Sequence, residues 1–343
     1  MTVRPRILFR ANASHELGFG HVARLVALIE EAEARGCEPL ALFGGDESAV
    51  RSWARDRGIN VDVRDWSTTQ IVQAAEDPRV KAIVIDGGQE LANTIVPKIP
   101  ERVRTVVIDD SGKLPLPMSA VVNHNIHALN LAATYPQARQ RLLGRRYLML
   151  RKDIRRYTRG SCRPMASSKL RVLITFGGSD PVNATSRLVS LIPDDRPLEL
   201  VIVAGPGFRH DASLAEAAKL ATERGHTVDI RRAPEDPGAL FVSADAAICS
   251  AGGTLGELAY LGCPALAYAI VQDQVIPARL QVREGLIAGG RKWSETPDDM
   301  LRSDILAFLL DDKGRKEQRQ RALATADSDG ARRIIEEAVL GES

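Results

Sequence analysis

The sequence predicts an α/β fold with two doubly wound, Rossmann-type domains that face a central cleft. Short apolar runs alternate with helical patterns along the chain, and many of these runs end in glycines or polar residues. Continuous β-branched runs are typical of parallel strands that are buried on both faces and bind ligands at their carboxyl ends. The alternation stops after about Leu143 and restarts at Leu170. We therefore expect one domain over residues 1–150 and a second over residues 168–343, joined by a basic segment.

Length and composition exclude several classes of protein. The 343 residues suffice for two cores, and a net charge of +2 with 4% aromatic residues disfavours nucleic acid as a partner. No apolar run reaches the ~18 residues of a membrane span, and the start of the chain does not resemble a signal peptide. The four scattered cysteines suggest reduced, packed thiols in a cytoplasmic protein. We expect a monomer or weak homodimer, no cofactor and, because no ligand cluster has zinc spacing, no metal.

The first domain is predicted to begin with a strand at Ile7–Phe9 and a helix from about His21 to Arg35 that Gly36 ends. A second strand and a helix that ends at Gly58 follow. Three further apolar runs are predicted as buried parallel strands. The predicted segments after the first helix are strand Pro39–Phe43, helix Glu47–Arg57 and strands Ala82–Asp86, Thr105–Asp110 and Ala120–Asn125.

The first loop is the stretch that points most clearly to function. Gly18 and Gly20 allow a tight turn between the first strand and the first helix, and His21 opens that helix. Backbone N–H groups and the positive helix end then point at one spot, where a ligand with negative charge fits. The spacing is Gly-x-Gly-His, which differs from the dinucleotide-binding Gly-x-Gly-x-x-Gly and makes a nicotinamide cofactor a weak interpretation.

His21 is the candidate catalytic residue. A histidine near a helix start is more often a surface or capping residue, but this loop is more polar than core packing requires. Imidazole titrates near neutral pH, which suits it to moving protons. If His21 proves silent, Asp86, Asp109 and Asp110 at neighbouring strand ends are the next candidates. The polar neighbours that we expect to contact the substrate are Arg10, Asn12, Ser14 and Arg24, with Asp86 and Asn125 from later strand ends.

The second domain repeats the strand, glycine loop and helix design. Its predicted strands are Leu170–Phe176, Leu198–Ala204, Ala244–Ser250 and Pro264–Tyr268, with a helix over Leu255–Leu261 and a charged helical tail from Asp298 to Ser343. Two glycine loops put amides and hydroxyls at helix starts, as a diphosphate site requires, although tight turns alone would also explain either loop. Glu257, one turn into the second helix, could bind a ribose diol or could simply complement the helix dipole. The predicted nucleotide contacts are Gly177, Gly178, Ser179, Asp180, Ser250, Gly252, Gly253, Thr254, Glu257 and Gln274.

Six stretches of the sequence carry a resemblance to a known family, namely Phe9–Arg24, Ile108–Asp110, Val122–Asn125, Tyr147–Arg151, Phe176–Asp180 and Ser250–Glu257. The chain resembles the UDP-sugar hydrolase of pseudaminic acid biosynthesis and its spore-coat polysaccharide relatives. That family is similar to the GT-B glycosyltransferase that completes lipid II in peptidoglycan synthesis. The resemblance spans roughly residues 6 to 290, and the Gly-Phe-Gly-His loop is its most specific part.

The resemblance implies a GT-B-like fold and metal-independent cleavage of the C1–O bond of a UDP-linked amino or deoxy sugar. It matches His21 to the family's catalytic histidine, and Ser250–Thr254 with Glu257 to its uridine and diphosphate site. Asn12 stands where the family usually has aspartate, and Gly87 and Gly88 stand where an aromatic residue often follows. These departures bear on the choice of sugar and on hydrolysis against transfer. The charged tail extends past the family core.

Three functions of different classes follow from the sequence. The leading one is a nucleotide-sugar hydrolase in which His21 activates a water. The second is a glycosyltransferase in which an acceptor hydroxyl replaces the water; an exposed apolar patch beside the first-domain cleft would favour it, and the sequence shows no obvious one. The third is a catalytically silent protein that binds a sugar nucleotide.

Overall fold

Seven parallel strands form the first sheet of the protein. They follow the spatial order β3-β2-β1-β4-β5-β6-β7 in a computed structural model that describes residues 4–162 and 169–342. The strands are β1 Arg6–Ala13, β2 Glu38–Gly45, β3 Val61–Val63, β4 Val80–Asp86, β5 Arg104–Ile108, β6 Met118–Asn123 and β7 Ala138–Leu143. The helices that connect them are α1 Gly20–Ala34, α2 Glu47–Arg55, α3 Thr68–Ala75 and α4 Gly88–Ile95.

Six parallel strands form the second sheet, in the order β10-β9-β8-β11-β12-β13. The strands are β8 Leu170–Thr175, β9 Leu198–Ala204, β10 Thr227–Arg232, β11 Ala246–Ser250, β12 Ala265–Ala269 and β13 Ala288–Lys292. The short α5 Lys152–Arg155 precedes this sheet. Its helices are α6 Ala184–Ser190, α7 Asp211–Glu223, α8 Pro237–Val242, α9 Thr254–Leu261, α10 Val275–Arg283, α11 Asp298–Leu310 and α12 Asp312–Thr325.

Apolar side chains cover both faces of the first sheet. Alternate residues of β1 point to opposite faces. Ile7, Phe9 and Ala11 join a cluster with α1, whereas Leu8 joins a cluster with Trp66 on the other face. The central strands are therefore buried on both sides, as their continuous apolar runs predict.

Every strand that the sequence predicts is present, and the predicted α/β fold with two doubly wound sheets is confirmed. The four strands that the sequence did not predict are β3, β7, β10 and β13, and each of them is an edge strand of its sheet. Edge strands are half-covered, so they need no continuous apolar run. The second to fourth residues of β7 are exposed, and no residue of β10 is fully buried.

The chain divides into two compact units at a different place from the predicted one. The first unit holds Met1–Lys152 together with Asp327–Ser343, and the second holds Asp153–Ala326. The predicted second domain ended at Ser343, but the last segment returns to the first sheet. It contains α13 Gly330–Arg333 and a π-helical turn, Ile334–Leu340. Residues 163–168 of the predicted linker lie outside the described residues.

The returning segment joins the first unit through apolar burial. Ile334, Ile335, Ala338 and Val339 are all fully buried in the cluster that also holds Phe9 and α1. This role was not predicted from the sequence, because arginines and glutamates that face outward separate the buried side chains and make the segment look charged.

None of the described helices combines the length and the apolar character that crossing a membrane requires. The four cysteines, Cys37, Cys162, Cys249 and Cys263, are all buried free thiols.

Candidate active site

The carboxyl edge of the first sheet contains a crevice between β1 and β4. Connections leave these two neighbouring strands in opposite directions along the sheet, and such a switch point is where ligands bind in open α/β sheets. The loop after β1 leads into α1, and β4 ends at Asp86. Two of the residues expected in the site, His21 and Asp86, therefore lie on the two sides of this crevice.

The glycines of the first loop set its shape. Gly18 has a φ of +76°, in the region that favours glycine, and its N–H donates to the carbonyl of Ser14 at 2.9 Å. A side chain placed at Gly20 would meet no atom within 4 Å, so space is open beside the first residue of α1. No side chain caps this helix, and no acidic residue lies in its first turn. The positive end of α1 is thus unopposed by its own helix.

His21 is paired with a buried carboxylate. Its Nδ1 lies 2.7 Å from Oδ1 of Asp86, whose side chain is fully buried, while the His21 side chain remains 29% exposed. A carboxylate can only accept, so we assign the His21 proton to Nδ1. Nε2 then carries the lone pair, and it makes no hydrogen bond to any residue that the structure describes. The geometry leaves His21 oriented and able to accept a proton.

Arg24 binds the same carboxylate from one turn further along α1. Its Nε and Nη2 donate to the two oxygens of Asp86 at 2.9 and 2.7 Å, and its Nη1 donates to Asp110 at 2.7 Å. Burial opposes the charge of Arg24, but Asp110 and Asp86 outweigh this and raise the pKa of the guanidinium above its usual value. Arg24 Nη2 also lies 3.0 Å from Nδ1 of His21. Both of these nitrogens also contact Oδ1 of Asp86.

Asp110 links this pair to the end of β6. Asn125 donates its side-chain N–H to Asp110 at 2.8 Å. Burial would raise the pKa of Asp110, yet Arg24 and the neighbouring His124 hold it below its usual range. The predicted residues His21, Arg24, Asp86 and Asn125 thus belong to one continuous network that also contains Asp110.

Asp109, which precedes Asp110, has a structural role. Its carboxylate accepts from the N–H of Ser111 at 3.1 Å, the N–H of Gly112 at 2.8 Å and the hydroxyl of Tyr135 at 2.9 Å. The carboxylate therefore fixes the loop after β5 and faces away from the His21 network.

Three residues that were predicted to contact the substrate from the first loop form hydrogen bonds with other parts of the first unit. Arg10 is buried, and its Nη1 donates to the side-chain oxygen of Asn12 at 2.6 Å and to the carbonyl of Leu42 at 3.4 Å. Arg10 shares the face of β1 with Leu8, opposite the α1 face where Asp86 meets His21. Ser14 closes its own loop by accepting from the N–H of Leu17 at 3.1 Å. The structure thus gives Arg10, Asn12 and Ser14 local partners in place of the predicted cluster around His21.

The second sheet has its switch point between β8 and β11, and both glycine loops meet there. A side chain at Gly177 would come within 3.8 Å of the Ser250 hydroxyl. One at Gly252 would come within 3.8 Å of the same hydroxyl and 3.2 Å of the Gln274 amide nitrogen. Gln274 is held in turn by accepting from the N–H of Ile270 at 2.9 Å. Of the predicted nucleotide residues, the structure brings together Gly177, Ser250, Gly252 and Gln274.

The helices that follow the two loops differ at their N-termini. At α6 the Asp180 carboxylate accepts from the N–H groups of Ala184 and Thr185, both at 2.8 Å. The expected contact of Asp180 with a diphosphate is therefore replaced by a helix cap, which was not foreseen because the helix starts four residues after Asp180. At α9 no side chain caps the helix, and a side chain placed at the preceding Gly253 would meet open space.

The remaining predicted residues lie around these two helix starts. Gly178 packs its backbone against Gly205, and its carbonyl accepts from the N–H of Gly207 at 2.8 Å. Ser179 is buried beside it. Thr254 is the first residue of α9, and Glu257 lies buried in the first turn. Because no side chain caps α9, its start is the better candidate of the two for binding an anion.

Within residues 4–162 and 169–342, no group of three or more His, Cys, Asp or Glu side chains is arranged to hold a metal ion.

One residue of the site escaped sequence reasoning. His124 lies between Asn123 and Asn125, and Arg24, Asp110 and Asp86 all act on it electrostatically. Its ring is half-buried, and Nδ1 is buried without a hydrogen-bond partner. The only available signal was its place at the end of a predicted buried strand, next to the predicted Asn125.

Comparisons with curated proteins place the chain among distant relatives. No family model matches it. An uncharacterized protein of Methanocaldococcus jannaschii is 23% identical over 269 residues, which cover 76% of this chain and 54% of the relative. The chain therefore spans only about half of that relative's length. The spore coat polysaccharide biosynthesis protein SpsG of Bacillus subtilis is 22% identical over 306 residues, which cover 85% of each chain.

Solved structures agree on the fold. MurG of Acinetobacter baumannii superposes with a TM-score of 0.66 at 17% identity and covers 97% of this chain and 99% of its own. MnaA of S. aureus, solved together with UDP, has a TM-score of 0.63 at 12% identity and covers 97% of this chain and 95% of its own. At these identities the similarity shows the fold, and the chain has the GT-B-like fold that the resemblance implied.

Proposed function

We propose that this protein is a metal-independent hydrolase that cleaves the C1–O bond of a UDP-linked sugar and releases UDP and the free sugar. The observation that carries the proposal is the contact between His21 Nδ1 and Asp86 Oδ1 at 2.7 Å, at the switch point of the first sheet. It leaves an oriented, base-competent Nε2 beside the open space at Gly20. A capping or surface histidine would need no fully buried carboxylate as its partner.

The proposed reaction is a single displacement. A water bound to His21 Nε2 attacks C1 of the sugar while Nε2 accepts the water proton. The C1–O bond breaks, and its electron pair leaves with the diphosphate of UDP. General base catalysis of this kind contributes about 10²- to 10⁴-fold. Asp86 does not take the proton; it holds the imidazole in the required tautomer and stabilises the imidazolium that forms.

Arg24 compensates the charge of the acidic partner of His21. Because the guanidinium donates to both oxygens of Asp86, that fully buried carboxylate is compensated in charge and fixed in orientation. Arg24 is thus a positioning residue that acts on His21 through Asp86.

The nucleotide is proposed to bind to the second unit. The uncapped start of α9, with the Ser250 hydroxyl and the Gln274 amide beside it, offers uncharged hydrogen-bond donors and the positive end of a helix to a diphosphate without a metal. Stabilisation of the departing diphosphate there is the larger expected contribution to catalysis. Glu257, in the first turn of α9, is proposed to accept hydrogen bonds from the ribose. The UDP complex of MnaA, which shares this fold, supports the choice of nucleotide.

The sugar is proposed to be an amino or deoxy sugar used for surface polysaccharides. The name of the B. subtilis relative, a spore coat polysaccharide biosynthesis protein, and the resemblance to the hydrolase of pseudaminic acid biosynthesis support this class.

The decisive experiment measures UDP release from a panel of UDP-sugars, with and without candidate acceptors. We expect the wild-type protein to release UDP with no acceptor present and to do so equally in EDTA. His21→Asn should lower kcat at least ~10²-fold and leave the dissociation constant of UDP unchanged, because the base is lost and the nucleotide site is not.

His15→Asn is the matched control, since His15 lies in the same loop but precedes the glycine turn. It should retain wild-type kcat. Turnover of His21→Asn close to that of the wild type would make His21 a loop residue and remove the basis of the proposal. UDP binding without any turnover would favour the silent binding protein.

A glycosyltransferase is the second candidate, and one observation favours it. Leu17, in the loop after β1, is 59% exposed, and Leu129, in the segment after β6, is 69% exposed. Apolar side chains at the carboxyl edge of the sheet would suit an acceptor with an apolar part. UDP release that appears only when an acceptor is added, and a larger acceptor product, would establish transfer over hydrolysis.

A further inference from the structure

His124 occupies an unusual position for a polar residue. Its Nδ1 is buried without a hydrogen-bond partner, and neither ring nitrogen bonds to any residue in the described part of the chain. Nε2 is not among the buried atoms that lack a partner, so it is the nitrogen that reaches accessible space. Burying a polar group without a partner costs free energy, and most buried polar groups are satisfied. An unsatisfied imidazole beside a candidate active site is therefore a feature to explain.

The charged groups around His124 are balanced. Arg24, Asp110, Asp86 and Arg145 act on it, two of each sign, so the cluster has no excess charge that would select an ion. Burial first, and then Arg24, lowers the pKa of His124 to about 4. The imidazole is thus neutral at physiological pH and offers one N–H and one lone pair.

The surroundings also select the tautomer. An orphaned buried N–H is rarer and more costly in proteins than an under-satisfied acceptor. Nδ1 of His124 is therefore the nitrogen without the proton, and the accessible Nε2 carries the N–H. In His21 the order is reversed, because Asp86 requires the proton on Nδ1 and leaves a lone pair on Nε2. The imidazole of His21 thus presents an acceptor, and that of His124, which Arg24, Asp86 and Asp110 influence electrostatically, presents a donor.

We propose that His124 is a specificity-determining residue whose Nε2–H donates to an uncharged acceptor oxygen of the sugar, a hydroxyl or an N-acyl carbonyl. This inference rests on the proposed function, since it places the sugar beside His21. It assigns His124 no part in proton transfer. A site built to bond a substrate oxygen rejects analogues that lack it, because its own polar group is then left unpaired.

The first test needs no ligand. Long-range ¹H–¹⁵N correlation spectra of the full-length protein, assigned with His21→Asn and His124→Gln, report which ring nitrogen of each histidine is protonated. We expect Nδ1–H for His21 and Nε2–H for His124, with the His124 signals constant from pH 8 to pH 5. An Nδ1–H tautomer for His124, or a titration midpoint near 6.5, would overturn the inference.

The second test measures the sugar contribution to binding. Calorimetry gives the dissociation constants of UDP and of UDP-N-acetylglucosamine, and their ratio isolates the sugar. We expect this ratio to fall roughly 3- to 10-fold in His124→Phe, as loss of one neutral hydrogen bond implies, with UDP itself bound as before. His124→Gln, which restores an N–H donor, should recover part of the ratio.

His127→Gln is the control, because His127 lies in the same loop and also has a buried Nδ1 without a partner, but of the four charged groups around His124 only Asp110 acts on it. It should leave the ratio within about twofold of the wild type. An unchanged ratio in His124→Phe would overturn the sugar contact alone and leave the proposed function intact. A wild-type protein that binds no UDP would overturn the proposed function together with the contact.

Discussion

At the scale of single residues, one buried carboxylate organises the site. Asp86 receives His21 and Arg24 from successive turns of α1, because residues three apart lie on the same side of a helix. Its place as the last residue of β4 brings it to the crevice beside that helix. The proton on His21 Nδ1, and hence the free Nε2, depends on this one side chain.

Asp86→Asn should lower kcat for UDP release about 10²- to 10⁴-fold. An amide in place of the carboxylate can donate to Nδ1, which shifts the His21 proton to Nε2 and removes the base. The KM for the UDP-sugar should change little, since no substrate contact is removed. Steady-state kinetics give both constants, and ¹⁵N spectra report the tautomer change.

Asp109→Asn is the control for this variant. It changes the strand-end carboxylate that binds Ser111, Gly112 and Tyr135. We expect lower stability but a wild-type tautomer and kcat in the folded protein. Equal losses of kcat in both variants would indicate a general effect on the sheet edge and contradict the role of Asp86.

His124 also predicts a pH dependence of stability. Its pKa is about 4 in the folded protein and ordinarily 6.5, so below pH 6.5 the unfolded chain binds a proton that the folded chain does not. The free energy of unfolding should therefore fall as pH is lowered from about 6.5 to 4. The contribution of this one group is at most about 1.4 kcal/mol per pH unit.

Urea unfolding at several pH values between 7 and 4.5 checks this dependence. The free energy of unfolding of His124→Gln should depend on pH less steeply than that of the wild type, by up to about 1.4 kcal/mol per pH unit. Asp110, whose pKa is also depressed, loses its contribution only below its ordinary carboxyl range, so the two effects separate. Parallel slopes for the two proteins would contradict the assignment to His124.

At the same scale, the sequence predicted which residues belong to the candidate site better than it predicted which of them contact each other. His21 was accessible to prediction because glycines and a helix start surround it in the sequence. The contact of His21 with Asp86 joins residues 65 positions apart and depends on the register of β1 with β4. Arg10 was misplaced for a related reason. Because successive side chains of a strand point to opposite faces, Arg10 lies on the face of β1 away from α1. This is not visible when the residues are considered only by their position near the loop.

At the scale of elements, the two glycine loops of the second unit have become different structures. Asp180 caps α6 and neutralises its positive end, whereas α9 starts from glycine without a side-chain cap. Similar sequences of strand, glycines and helix thus give one closed and one open helix end. The difference lies in the fourth residue of each loop, which is Asp180 in the loop Gly177–Asp180 and Gly253 in the loop Ser250–Gly253. Only the aspartate has a side chain that can cap the helix.

Asp180→Ala and Glu257→Ala should therefore have opposite signatures. Asp180→Ala should lower the free energy of unfolding by about 1–2 kcal/mol, the usual cost of a lost cap, and leave the UDP dissociation constant within about twofold. Glu257→Ala should weaken nucleotide binding by about 1–3 kcal/mol, if its carboxylate binds the ribose. Chemical denaturation and calorimetry on both variants make the comparison.

The measurements can contradict either assignment. If Asp180→Ala loses UDP affinity without losing stability, the carboxylate is a ligand contact. If Glu257→Ala binds UDP as before, Glu257 only complements the dipole of α9.

The elements that sequence reasoning missed share a physical cause. Central strands such as β4 must be apolar on both faces, and this produces a run that is visible in the sequence. Edge strands such as β10, with the sequence Thr-Val-Asp-Ile-Arg-Arg, need only partial cover and keep charged residues. These segments are strands because their backbones form hydrogen bonds with the neighbouring strand of the sheet.

At the scale of the whole molecule, the chain leaves the first unit at Lys152 and returns to it at Asp327. The returning segment contributes five fully buried apolar side chains to the cluster around α1 and β1. The returning segment is therefore part of the core of the first unit, although it follows the entire second unit in the sequence.

Ile335→Ala should destabilise the first unit by about 2–5 kcal/mol, since it removes a fully buried side chain. Hydrogen exchange resolves the two units. The slow amides of β1 should exchange faster in this variant, and those of β8 should keep their rates. Leu310→Ala, at a side chain that is 60% exposed, is the control and should change stability by less than about 0.5 kcal/mol. Unchanged exchange in β1 would contradict a core role for the segment.

The return of the chain also determines how the protein should respond to mechanical force. Both ends of the described chain lie in the first unit, so tension applied to them loads that unit first. The second unit is inserted between Lys152 and Asp327 and carries no load until the first has come apart. In an optical trap, the first rupture should release the length of residues 4–152 and 327–342, and the second that of the inserted unit. Tethers attached at residues 153 and 326 should reverse this selection and load the inserted unit directly.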